Sequence, residues 1–256
     1  MGFMMDTSQI WLPLLLTFLA GIATGIGSLI SLFIKKLKKS YLCFSLGFSA
    51  GVMIYVSFAE LLSSAVADIG FLMGNTAFFA GIIFILLIDF SIPHEYIEEH
   101  VEVNEQNRKL MMAGVFTALG IAIHNFPEGL AVFMSSLKDI DLGISLAFAI
   151  AVHNIPEGIA VSMPIFYATK SRKKAFSYSL LSGIAEPIGA IIGYLILRPF
   201  LTPTVLSFML AFVAGIMVFI SFDELLPLSF EHENAHISIV GIILGMMVMA
   251  LSLYLL

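Results

Sequence analysis

A histidine and a glutamate four residues apart share one face of a helix, and together they make a cation-ligating pair. The segment His124-Asn125-Phe126-Pro127-Glu128-Gly129 has that spacing. His153-Asn154-Ile155-Pro156-Glu157-Gly158 repeats it 29 residues later. From His124 to Met134 and from His153 to Met163, 8 of 11 aligned positions are identical, too many for two unrelated apolar helices. Both copies lie in strongly apolar surroundings, where ionisable side chains are costly and usually functional. A lone intramembrane histidine is more often a hydrogen-bonded packing residue. Two matched sets at ligand spacing argue for a site.

Brought together, the copies offer two imidazoles and two carboxylates, a donor set suited to a borderline divalent cation. Asn125 lies beside Glu128 at i+3, and Asn154 beside Glu157, giving a second, oxygen-rich set. Glu186, followed by Pro187, adds a further carboxylate from the next apolar segment. Two adjacent cation positions are expected, with Glu128 and Glu157 as candidate bridges and Glu186 completing the second. Pro127 and Pro156 each lack an amide hydrogen. They are expected to break their helices and free the carbonyls of Ile123 and Val152. Gly129 and Gly158 should admit a neighbouring helix closely.

The elements that must hold these residues follow from composition. The chain has 256 residues, 59% hydrophobic and only 12% charged. A soluble domain carries about twice that charged fraction. Apolar runs near the length of a membrane span recur throughout. The expected fold is all-α and polytopic, a single transmembrane domain over 1–256 with eight helices. These cover roughly 10–33, 41–67, 71–90, 109–136, 142–168, 176–197, 204–227 and 237–256. The first run is too long for a signal core and lacks a basic flank, so it reads as a retained helix. No extended basic face points to nucleic acid. Cys43, the only cysteine, excludes a thiolate cage.

Basic residues in the loops set the topology. With both termini outside, the inner loops hold Lys35, Lys36, Lys38, Lys39, Arg108, Lys109, Lys170, Arg172, Lys173 and Lys174, against Lys138 and Arg198 outside. A second repeat supports the arrangement. Ala50 to Leu62 (AGVMIYVSFAELL) matches Ala214 to Leu226 (AGIMVFISFDELL) at 8 of 13 positions, and Gly21 to Gly27 resembles Gly183 to Gly189. Helices 1 and 2 thus pair with 6 and 7, and helix 4 with 5. Each pair runs oppositely through the membrane, giving an inverted repeat in a 3+2+3 order, a plan that puts substrate near the midplane.

On the residues His124 to Gly129, His153 to Gly158 and Ala185-Glu186-Pro187, the chain resembles the ZIP family of divalent metal transporters over nearly its full length, its bacterial branch in particular. The resemblance implies eight helices and uptake of metal into the cytoplasm through a binuclear site in helices 4 to 6. It implies one metal at His124, Glu128, His153 and Glu157, and a second at Asn125, Glu128, Asn154, Glu157 and Glu186. The expected substrate is Zn2+, with Fe2+, Mn2+, Co2+ and Cd2+ as further candidates, carried as cargo rather than held as a cofactor. The expected setting is the cell membrane, as a multi-pass protein in contact with lipid, and a homodimer is compatible with the resemblance. Many members carry a long histidine-rich loop between helices 3 and 4. Here that cytoplasmic stretch, 91–108, is short and acidic, with His94 and His100 only.

Glu60 and Glu224 are repeat partners. They read either as helix-end carboxylates or, with Asp223, as outer and inner stations for the cation. Asp89 reads more simply as a helix-end residue, and Glu231, His232, Glu233 and His236 as a loop. The competing function is an intramembrane metalloenzyme such as a hydrolase, which needs an open metal position and a general base. The symmetric ligands leave no separate base in view. A metal sensor without flux is the third reading.

Overall fold

The computed structural model describes residues 10–33, 38–91, 105–138, 140–197, 202–230 and 235–255. All the regular structure among them is helical. Long apolar runs leave the backbone little choice, because each amide and carbonyl must be satisfied within its own segment where water is absent. Eight helices are long and apolar enough to cross a membrane. They are α1 (Trp11–Phe33), α2 (Lys39–Ile69), α3 (Phe71–Ser91), α4 (Glu105–Lys138), α5 (Ile140–Thr169), α6 (Arg172–Ile196), α7 (Pro203–Phe230) and α8 (Ala235–Leu255).

The expected boundaries shift by a few residues. Glu105, Arg108 and Lys109 belong to the first turns of α4, and His236 to the first turn of α8. His94, Glu95, Glu98, Glu99, His100 and Glu102 lie outside the described residues, as do Glu231, His232 and Glu233.

Connections are tight where they are described. Gly70 turns the chain from α2 into α3 at a φ of 83°, a conformation open to glycine, and its amide bonds the Val66 carbonyl at 2.9 Å. Ser171 caps α6 by accepting from the Lys174 amide. Tyr167 near the end of α5 donates to the Lys38 carbonyl at 2.5 Å.

One expectation needs correcting. Pro127 and Pro156 do not break their helices: α4 and α5 run on through both. Each proline removes a single amide donor, and the bonds on either side are kept. The Pro156 carbonyl is also drawn into packing between helices, accepting from Ser49 Oγ of α2 at 2.7 Å.

The helices form two groups. α1, α4, α5 and α6 pack on one another, while α2 packs on α8, α3 on α7, and α2 on α7. The groups meet where α2 lies on α5 and α4 on α7. Exchanging α1 with α6, α2 with α7, α3 with α8 and α4 with α5 maps this pattern onto itself. The expected inverted repeat is therefore present and extends to α3 and α8. These two are the peripheral pair: their spans are only 28% and 22% buried, against 61% for α2 and α4. Their large apolar side chains, such as Phe71, Leu72, Leu251 and Tyr254, face outward, as lipid contact requires.

Backbone contacts repeat the exchange in detail. A Cβ on Gly129 would overlap the Glu186 carbonyl, and one on Gly158 would overlap that of Thr24, the repeat partner of Glu186. α6 thus rides on α4 as α1 rides on α5. Small residues permit such approach.

α2 and α7 also share a local feature that periodicity does not announce. Each opens into a π-helical turn, Ser57–Leu62 in one and Ser221–Leu225 in the other. Ser57 and Ser221 each bond the carbonyl four residues back, that of Met53 and Met217, at 2.7 and 2.8 Å. Such turns are frequent at functional sites, and these two carry Glu60 and Asp223 with Glu224.

Candidate metal centre

The two repeated motifs meet where α4 crosses α5. His124 Nε2 lies 3.2 Å from Glu128 Oε1 and 3.2 Å from Glu157 Oε1. His153 Nε2 lies 3.1 Å and 3.3 Å from the two oxygens of Glu128. The imidazole centroids are 6.2 Å apart. His124 and Glu157 are wholly buried, and Glu128 and His153 are 2% and 4% exposed. His124, Glu128 and His153 present donor atoms within 4.8 Å of one another, close enough to converge on one ion.

Asn125 and Asn154 are held by mirrored anchors. Asn125 Nδ2 donates to the Ser182 carbonyl of α6 at 3.2 Å, and Asn154 Nδ2 to the Ala20 carbonyl of α1 at 2.9 Å. Ser182 and Ala20 are themselves repeat partners. With each amide nitrogen committed to a backbone oxygen, each Oδ1 is left as a free acceptor. Asn154 Nδ2 also reaches Glu186 Oε1, which ties the second carboxylate set to the first. Glu186 is fully buried on α6. Thr24, its counterpart on α1, is also fully buried, so the oxygen-rich half has a carboxylate on one side and a hydroxyl on the other.

The chemical character of the cluster shows in what its atoms lack. His124 Nδ1 and Nε2, Asn125 Oδ1, His153 Nδ1, Asn154 Oδ1, both Glu157 oxygens, Glu186 Oε2 and Thr24 Oγ1 are buried with no hydrogen-bond partner. His124 and Glu157 approach to 3.2 Å without hydrogen-bond geometry, so both sets of lone pairs are aimed at shared space rather than at each other. Unpaired buried polar atoms cost about 1–3 kcal/mol each. A set this dense suits cations that its converging atoms can ligate.

One side of the centre opens into a cavity of about 350 Å3. Its walls run from Glu60 and Leu61 of α2, past Ala149 and Ile150 of α5, to His153 and Glu128. The opposite side is shut. Exchanging the repeats turns this lining into Ile220, Glu224, Gly120, Ile121 and His124, with Leu46 and Ile85 closing the wall. Ile220, Ile121, Leu46 and Ile85 are fully buried, and a Cβ on Gly120 would strike the Ile220 side chain. Phe116 packs edge-on against Phe219 beside it, with ring centroids 6.5 Å apart.

The structure also gathers a group that the sequence leaves scattered. Asp89, at the end of α3, joins Asp223 and Glu224 of the α7 π-turn, with donor atoms within 4.8 Å of one another. Its exposure is partial, unlike that of the central cluster. The image of Asp89 in the repeat is Leu253, so no sequence match points to it.

A symmetric helical bundle of eight spans, with ligand-rich motifs buried at the crossing of its two central helices, defines a polytopic membrane transporter. A family model described as ZIP zinc transporter matches residues 93–253. A zinc transporter ZupT of Chlorobium limicola is 54% identical, with 97% of this chain and 99% of that protein aligned. The ZupT of Clostridium perfringens is 51% identical over 98% of each chain. That of Streptococcus mutans is 49% identical, with 97% and 99% aligned. The chain belongs to the ZIP zinc transporter family, which is a family of transporters and not of enzymes. The hydrolase reading is set aside accordingly.

Proposed function

We propose that this protein moves divalent metal cations, zinc chiefly, from outside the cell into the cytoplasm through a binuclear centre. His124, Glu128, His153 and Glu157 hold one cation. Asn125, Asn154 and Glu186 hold the second, which shares Glu128 and Glu157. The two ions are cargo in passage, and neither is a resident cofactor. The observation that carries the reading is the group of partnerless buried oxygens and nitrogens gathered on α4, α5 and α6.

Charge favours the same reading. Glu128, Glu157 and Glu186 bring three carboxyl groups into a water-poor interior, and a divalent cation is the partner that carboxylate ligands there call for. Neutral imidazole, amide and carboxylate ligands hold a borderline ion less tightly than a thiolate cage would, which suits a site that must release what it binds. Iron, manganese, cobalt and cadmium fit the same donors.

Glu60 stands at the mouth of the open cavity as the outer station, and Asp223 with Glu224 form the inner one. Basic residues in the described loops between α5 and α6 and around Lys38 support termini on the outer side of the cell membrane. Passage then needs the closed half to open as the open half shuts, with the same ligands presented to each side in turn.

The test is uptake into proteoliposomes loaded with a zinc-sensitive dye. The parent protein is expected to bring zinc in, and Glu128→Ala to abolish the signal. A protein that binds zinc under these conditions but moves none is a sensor, and the reading fails.

A further inference from the structure

In the closed half of the cation's route, between the centre and the acidic group at its far end, lies a buried hydroxyl that neither uses. Thr117 of α4 is fully buried, and its Oγ1 has no hydrogen-bond partner. A buried threonine in a helix can bond the carbonyl four residues back, as Thr17 does to Pro13 at 2.9 Å, whereas Thr24, beside the centre, leaves its Oγ1 unpaired. Thr117 forgoes that bond. It stands seven residues before His124, on the same helix face as Gly120, Ile121 and His124, and about 10 Å from His124 along the axis at 1.5 Å per residue.

That face looks into the seam between the two helix groups. Gly120 is pressed on Ile220 of α7, and Phe116 on Phe219. The repeat partner of Thr117 is Leu146, which lines the open cavity beside Ala149, Ile150 and His153. Thr117 therefore holds, in the shut half, the place that borders the passage in the open half. Beyond it lie Asp89, Asp223 and Glu224.

We infer that the Thr117 hydroxyl is a positioning ligand for the cation on its way inward. When the α4–α7 seam parts, its oxygen touches the partly hydrated ion between His124 with Glu157 and the acidic group at the inner mouth. The corresponding place on the outer side is Leu146, so this oxygen eases crossing of the inner half and has no match in the outer one. The inference rests on the transport reading above.

The experiment compares zinc uptake by the parent, Thr117→Val and Thr117→Ser in proteoliposomes, with Glu128→Ala as the inactive reference. Valine keeps the shape and removes the oxygen. Thr117→Val is expected to lower the maximal rate about fivefold, the scale of one modest polar contact, with KM for external zinc and equilibrium zinc binding unchanged. Thr117→Ser restores the rate. A second measurement places a lone thiol by Thr117→Cys in a Cys43→Ala background. A membrane-impermeant thiol reagent should reach it from the inner side during zinc flux and not from the outer side. A Thr117→Val rate equal to the parent's, a rise in KM of the same size as the fall in rate, or a thiol that stays unreactive during flux overturns the inference. A parent protein that carries no zinc overturns the transport reading, and this inference falls with it.

Discussion

Glu128 touches both histidines of the centre, whereas Glu157 touches only His124. Losing Glu128 therefore removes the carboxylate that links the two imidazoles. Asn125 and Asn154 act differently, since each spends its amide nitrogen on a neighbouring helix and offers only Oδ1 inward. Asn125→Ala is expected to remove the second bound zinc and spare the first, while Glu128→Gln removes both. Equilibrium zinc binding per chain, read by elemental analysis of protein in nanodiscs, separates the two. The clustering of these residues was legible in the sequence, because histidine and glutamate at i and i+4 commit to one helix face whatever the tertiary packing. The asparagine anchors were not. Their partners are backbone carbonyls of Ser182 and Ala20, and a carbonyl leaves no mark in the residue alphabet.

At the scale of the helix, the contact of α1 with α5 and of α6 with α4 depends on residues without side chains. Gly158→Val drives two methyls into the Thr24 carbonyl, and Gly129→Val does the same at Glu186. Each is expected to cost about 2 kcal/mol or more, as overpacking does, with a lower midpoint of thermal unfolding in detergent and weaker zinc binding. Gly70→Ala, at a φ of 83° and ψ of 160° that only glycine adopts readily, should cost about 1–3 kcal/mol and leave zinc binding intact, since the turn is remote from the centre. Helix positions followed from apolar run length to within a few residues. Two local features did not. The π-turns at Ser57–Leu62 and Ser221–Leu225 depend on one extra residue per turn, which apolar periodicity cannot register. The continuity of α4 and α5 through proline shows that one missing donor is less disruptive than the residue type suggests.

For the whole molecule, the inverted repeat was readable where the buried polar cluster and the helices packed on it constrain sequence, in α1, α2, α4, α5, α6 and α7. It was unreadable in α3 and α8. Aligned by the offset that relates α2 to α7, these two share only Gly81 with Gly245 and Leu87 with Leu251. Both face lipid along much of their length, and lipid accepts almost any apolar side chain. The shared glycines remain because each seats against a partner's carbonyl, that of Phe212 or Phe48. The same lack of constraint hid Asp89, which reaches Asp223 and Glu224 only once α3 is docked on α7. The open and shut halves make a direct prediction. In a Cys43→Ala background, Ala149→Cys should react with an impermeant thiol reagent added outside, and Ile121→Cys, its repeat image at offset 29 being Ile150, should stay protected without zinc.

The bond from Ser49 Oγ to the Pro156 carbonyl has no counterpart across the pseudo-symmetry, because the residue standing where a second serine would be is Val213, beside Pro127. One hydrogen bond of that kind is worth about 1 kcal/mol. The α2–α5 contact thus carries a polar tie that its image between α4 and α7 lacks, and Ser49→Ala is expected to loosen the first seam and leave the second as it was, a difference that hydrogen exchange along the two seams would read.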